Sequence, residues 1–370
     1  MKSRLVIHPG FHKSGTTALQ QSLHVNRERL SNLGLTYPFP RHKAHHRLAW
    51  SLSGKVWGWR NRGGSGESPR LWTKSVKSIN RSRNENLIIS SEFFSELDLE
   101  TITRIKNEIK NHDIEILFTL RPLAKLLSSS YQQYLKYGLK ADYEEWLHSV
   151  LDSPGESKLS PTFWRRHFHG QVISRWSEVF GPSKVTVLIV DESQPEFLFI
   201  EANKYLNLPE KTLQAQESGL NRSMTTEEVA LILEINRRFP KERSWDEYQV
   251  FIRNGFIREI TDNSKVATGK EKLLTPKWAI DIANTLGNDS KNEILNSGVR
   301  VIGDINSLDK AEIPTGTSHM PATIDINTVA TAMLSMDKTI ISHVPGTWLR
   351  RNLIYRMRRG LRRALFPKRS

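Results

Sequence analysis

The sequence contains no cysteine. Disulfides, thiolate nucleophiles, iron–sulfur clusters and cysteine-type zinc sites are therefore excluded, and the chain suits a reducing compartment. No apolar run approaches the ~18 residues that a membrane-spanning helix needs. Only Leu5, Val6 and Ile7 stand together before His8 and Pro9, too short a run for the core of a secretory leader. The expectation is a cytoplasmic protein. Acidic residues are scarce in two stretches. Arg350–Ser370 carries nine Lys/Arg and no acid, and Arg41–Arg83 carries eleven with Glu67 alone against them. The net charge is +15, so the remainder of the chain is slightly acidic. Charge placed this way argues for local anion sites rather than a basic coat for nucleic acid. The sequence carries no nucleic-acid-binding motif, and no nucleic-acid partner is expected.

What is present is enough for a large core: 370 residues, 38% of them hydrophobic. Short apolar runs at Arg4–His8, Leu33–Tyr37, Leu87–Ser90, Ile114–Leu120 and Val185–Val190 read as strands. Helical patterns lie between them, over Leu99–Lys110 and Leu123–Tyr137, and after the turn at Pro9-Gly10, where Leu19, Leu23 and Leu30 share a face. Strands alternating with helices predict an α/β fold with a mainly parallel sheet and right-handed crossovers. Arg41–Ser68 reads as a loop. Beyond Pro209 the pattern turns helical, with a capping box at Thr225-x-x-Glu228 and helices over Trp245–Ile260 and Pro276–Leu286. The expected organisation is a core over 1–210, a helical continuation of the same domain over 211–303, an irregular linker over 304–347, and a basic amphipathic helix over 348–370.

The most informative stretch is His8-Pro9-Gly10-Phe11-His12-Lys13-Ser14-Gly15-Thr16-Thr17, set between the first strand and the first helix. Glycines there allow a tight turn, and unpaired N–H groups at the helix start face an anion. Gly10, Gly15 and Thr17 match the spacing of the nucleoside-triphosphate loop G-x-x-x-x-G-K-[ST]. The lysine does not. Thr16 stands where it should be, and the lysine lies three residues earlier at Lys13.

In that displaced form, Lys13-Ser14-Gly15-Thr16-Thr17 resembles the 5′-phosphosulfate loop of sulfotransferases that use 3′-phosphoadenosine-5′-phosphosulfate (PAPS). A second segment points the same way. Arg121-Pro122 closes a strand and Ser129 follows eight residues after the arginine, as in that family's 3′-phosphate motif. Ser128 and Ser130 remain open as alternatives to Ser129. The resemblance covers roughly residues 4–207 and is best for bacterial carbohydrate-sulfotransferase-like members, with Tyr37-Pro38 followed by His45-His46. It is weaker in 221–228 and 299–304. It implies a P-loop-containing three-layer fold with a helical C-terminal extension, and an enzyme. PAPS would be the donor, with no metal. Lys13 would neutralise the bridging oxygen. The amides of Ser14 to Thr17 and the hydroxyls of Thr16 and Thr17 would hold the 5′-phosphate. Arg121 and Ser129 would hold the 3′-phosphate.

Transfer to a hydroxyl also needs a base for its proton. His45 and His46 follow the second strand, and Glu92 ends the third, where strand C-termini face the ligand crevice of such sheets. These three are the candidates. His42, His45 and His46 also read as a metal cluster, but their neighbours are cationic and no carboxylate is close in sequence. Trp50, Trp57, Trp59 and Trp72 interleave with Lys/Arg, which suits a carbohydrate acceptor, a glycan or glycolipid. Over 348–366 a loose apolar stripe accompanies the cations, the pattern of a helix lying on an anionic membrane surface. The competing functions are a P-loop nucleotide-dependent kinase and a non-catalytic anion- or glycan-binding protein on the same fold.

Overall fold

A computed structural model describes residues 2–39, 42–55, 66–82, 85–216, 222–262, 271–317 and 346–365, with isolated positions between 320 and 334. Among these residues six strands form one sheet: β1 Ser3–His8, β2 Leu35–Thr36, β3 Asn86–Ser90, β4 His112–Leu120, β5 Val185–Ile189 and β6 Arg300–Ile302. Their order is β2-β3-β1-β4-β5-β6, and every pairing is parallel. The helices are α1 Thr16–Val25, α2 Arg27–Asn32, α3 His46–Ser53, α4 Pro69–Arg81, α5 Leu99–Glu108, α6 Leu123–Leu135, α7 Tyr143–Leu151, α8 Phe163–His167, α9 His169–Phe180, α10 Phe197–Tyr205, α11 Thr226–Arg238, α12 Trp245–Glu247, α13 Arg258–Asp262, α14 Lys277–Asn296 and the C-terminal helix Gly346–Leu365. No helix among the described residues is long and apolar enough to cross a membrane.

The period of two along a strand builds the layers. In β1, Leu5 and Ile7 enter one buried cluster, with Ile89, Ile116, Phe118 and Val187 from neighbouring strands. Trp72, Ile102, Ile105, Val172, Ile173 and Trp176 cover that face from α4, α5 and α9. Val6 points the other way, into a second cluster with Ile88, Leu117 and Leu188. Leu19 and Leu23 of α1, Leu30 of α2, and Leu198, Phe199 and Ala202 of α10 close it. The protein is a three-layer α/β fold with a central parallel sheet. Strands buried on both faces read as continuous apolar runs, which is why they are visible in the sequence.

The chain divides into two compact units. One comprises 1–131, 143–218 and 274–317, and the other 132–142, 219–273 and 318–370. The helix α14 and the strand β6 fall in the unit with the sheet, whereas 219–273 falls in the other. In the second unit the capping box at Thr225 is present, with reciprocal bonds to Glu228 of 3.3 and 3.0 Å. Arg222 grips the buried Glu228 carboxylate through both terminal nitrogens, at 2.8 and 2.6 Å.

Other local expectations also change. The stretch expected as a loop contains α3, whose Leu48 and Leu52 pack into the first cluster. The helix expected over Trp245–Ile260 carries a π-helical segment, Tyr248–Ile257. The helix expected to stop at Leu286 runs to Asn296. Strand β6 has only three residues, one of them a charged Arg300, too little signal for periodicity to register.

Candidate active site

The stretch from His8 to Thr17 lies at the C-terminal end of β1, the centre of the sheet. Pro9 has no N–H and stops the strand ladder. Gly10 follows with φ +47°, and a Cβ there would stand 2.1 Å from Cγ2 of Thr16, so only glycine fits this turn. Phe11 pins the loop. It is fully buried, stacks on Phe118 with centroids 5.1 Å apart, and donates its N–H to the carbonyl of Thr119 at 3.1 Å. Ser14 turns inward. Its hydroxyl donates to the Phe11 carbonyl at 2.7 Å and lies 2.9 Å from Thr119 Oγ1. Its N–H also bonds to the Phe11 carbonyl, at 3.3 Å. Ser14 therefore serves the loop itself, and the anion-binding amides expected over Ser14–Thr17 reduce to those beyond it.

Gly15, with φ +83°, caps α1 and offers no side chain, and no side chain caps the helix. The first-turn N–H groups point out of the helix end, where the dipole also favours an anion. Lys13 has φ +66° and is exposed at the bend, as is Thr17 in the first turn. Thr16 is buried.

Arg121 follows the end of β4, the strand beside β1. Its Nη1 donates to the carbonyl of Lys13 at 2.8 Å. Its Nη2 is paired with Glu192, whose other oxygen lies 3.5 Å from Lys125 Nζ. Its buried Nε has no partner among the described residues. Burial lowers the Arg121 guanidinium to about 10, still a cation at neutral pH. Of the three candidate serines in α6, Ser129 donates to the carbonyl of Leu126 at 3.0 Å, and Ser130 Oγ is buried without a partner among the described residues. A cleft of about 220 Å³ adjoins this corner, lined by Pro122, Lys125, Asp191, Phe197, Asp304 and Ser307.

On the other side of the loop lie Glu92 and His46. Ser91 caps the short 3₁₀ turn Glu92–Glu96 that follows β3. His46 Nδ1 sits 2.9 Å from Ser91 Oγ and 3.6 Å from Glu92 Oε2. Gln20 of α1 donates to Glu92 Oε2 at 3.2 Å and to Ser90 Oγ at 3.1 Å, so the helix that begins at the glycine-rich loop also holds the carboxylate. Burial alone would raise the Glu92 carboxyl. Nearby His46 and His12, its own backbone N–H and Gln20 outweigh that, and the group lies below the ordinary carboxylate range.

His45 behaves differently from its neighbour. Its Nδ1 accepts from the Ser90 N–H at 2.9 Å, and its Nε2 faces the Pro38 carbonyl at 2.9 Å. Both nitrogens are spent on the backbone, and burial lowers the ring to about 4. In this arrangement the His45 ring is a neutral strut between Ser90 and Pro38. Trp72 is likewise a core residue, while Trp50 lies partly exposed, 5.0 Å from Phe93 and 5.9 Å from His46. Trp57 and Trp59 lie outside the described residues.

Sequence reading missed a second carboxylate. Glu96 accepts from His12 Nε2 at 3.1 Å and pairs with Arg166 at 2.8 Å and Arg165 at 2.9 Å. Against the upward push of burial, Arg166 and His12 hold it well below the carboxylate range. The arginines sit seventy residues away in α8, so no local spacing could signal the contact.

No family model matches the chain, and no curated protein does. Among solved structures it is similar to a sulfotransferase from Alicyclobacillus acidocaldarius, at 16% identity and a TM-score of 0.42, over 64% of this chain and 93% of that one. A likeness so distant carries no weight for activity.

Proposed function

We propose that this protein is a sulfotransferase that moves the sulfuryl group of PAPS to an acceptor hydroxyl. The observation that carries the reading is the joining of its two cationic motifs: Lys13 in the loop after β1 and Arg121 after β4, linked by a 2.8 Å hydrogen bond. The resemblance assigns one motif to each phosphate of the donor. Arg121 suits the 3′-phosphate because its fork offers several N–H donors, one of them a buried Nε with no acceptor among the described residues. The cleft beside it would take the nucleoside.

Transfer would proceed in line. The acceptor oxygen forms a bond to sulfur as the bond from sulfur to the 5′-phosphate oxygen breaks. Lys13 and the first-turn amides of α1 bear the charge that gathers on that leaving oxygen. The proton from the acceptor passes to Glu92, which His46 and Gln20 hold in its ionised form. A carboxylate of lowered pKa is a weak base, but positioning and charge stabilisation carry most of such a reaction. Trp50 and Phe93 flank this side and offer apolar faces to a carbohydrate acceptor.

Calorimetric titration with 3′-phosphoadenosine-5′-phosphate, 5′-AMP and ATP–Mg²⁺ tests the reading. Clear preference for the bisphosphate is expected. Preference for ATP–Mg²⁺ would place the protein with nucleotide-dependent kinases, and binding of none would overturn the donor assignment.

A further inference from the structure

Among the described side chains of the C-terminal helix Gly346–Leu365, a run of apolar ones stands exposed. Trp348 meets Phe251 with ring centroids 5.7 Å apart, and Arg351 pairs with Asp246 at 2.7 Å, so the start of the helix is tethered to its own unit. Leu349, Leu353 and Met357, one turn apart, are 54%, 59% and 59% exposed, and Ile354 beside them is 41% exposed. Burying these side chains is worth far more than leaving them in water. The sequence repeats the same spacing at Leu361 and Leu365. At 100° per residue, these six apolar positions fall in one half of the helix and six of its seven arginines in the other, with no acidic residue anywhere.

We infer that this helix lies in the interface of an anionic lipid bilayer, its leucine face in the acyl boundary and its arginines, other than the Arg351 held by Asp246, among the phosphates. Charge decides between occupants. A second copy would bring another seven arginines against the first. Nucleic acid would meet the arginines but leave the leucine face in water. An anionic bilayer satisfies both halves at once. The inference is independent of the sulfuryl-transfer reading, since no residue of the proposed active site belongs to the helix.

The test is flotation of the full chain with phosphatidylcholine vesicles, with and without about a third phosphatidylglycerol. Binding is expected only to the anionic vesicles and is expected to weaken as salt rises. Leu353→Glu with Met357→Glu should reduce the bound fraction about ten-fold while leaving the circular dichroism and thermal midpoint unchanged, because both side chains are exposed. Failure to float with anionic vesicles at low salt overturns the inference. So does binding that survives the double glutamate variant, which would mean charge attraction alone or an acidic protein as the natural partner.

Discussion

The carbonyl oxygen of Lys13 accepts a 2.8 Å hydrogen bond from Nη1 of Arg121. The two residues stand 108 positions apart, yet this bond makes one corner of the loop after β1 and the turn after β4. It fixes the carbonyl of a lysine whose own backbone is left-handed, at φ +66°. Moving either residue disturbs the other, so substitutions here should be read as pairs.

Lys13→Ala is expected to lower turnover by about a hundred-fold or more, the usual scale for removing a donor from a developing charge. Nucleotide affinity should fall much less. Alanine meets the same left-handed backbone as lysine, so the loop should keep its shape. Single-turnover rates beside a binding titration separate the two effects. Equal losses in both would assign Lys13 to ground-state binding.

Arg121 and Glu192 make a matched pair of predictions. Arg121→Ala should remove the preference for a nucleotide bearing a 3′-phosphate over 5′-AMP. Glu192→Gln removes a carboxylate that already occupies the guanidinium and should raise affinity for the bisphosphate a few-fold, with 5′-AMP unaffected. The pair lies partly in solvent, so the gain should shrink as salt rises. An unchanged preference in Arg121→Ala would show that another group reads the 3′-phosphate.

Glu92→Gln should reduce turnover by about 10²–10⁴-fold, the span of general-base contributions. Because the Glu92 carboxyl lies below its ordinary value, it stays ionised throughout the neutral range. The pH–rate profile should therefore be flat near neutrality and fall only in acid. A profile that rises across neutral pH, and that flattens in His46→Asn, would move the base to the imidazole.

Stability should fall with mild acid. Burial lowers His8 and His45 to about 4 and His169 to about 3. In the unfolded chain they titrate near 6.5. Between those values the unfolded chain binds the protons and the folded one does not, so each ring's contribution is intact above about 6.5 and is lost as pH falls toward 4. The slope is about 1.4 kcal/mol per pH unit for each histidine. Denaturant midpoints at pH 7, 6 and 5 measure it, and a level series would mean that these rings charge without unfolding.

Gly10→Ala should abolish nucleotide binding. The added Cβ would meet Thr16 at 2.1 Å in a backbone conformation that alanine resists. Thermal denaturation of the variant would show whether the loop alone or the whole sheet unit is lost.

The amino-acid sequence by itself determined the layers and the loop. Doubly buried strands need continuous apolar runs, and a chain turning from strand into an uncapped helix needs glycine at set places. Both are local demands, legible without neighbours. Gly10 and Gly15, both at positive φ, follow from the second demand. What lay beyond was decided by packing. His45 and His46 are adjacent and chemically identical, yet one ring is consumed by Ser90 and Pro38 while the other reaches Glu92. Glu96 became a hub because α8 brought Arg165 and Arg166 to it from seventy residues away. Arg121 met Glu192 because β5 lies beside β4. Partners chosen across crossovers leave no periodic trace in the chain, since the helices between them set the distance and the sheet register sets the facing.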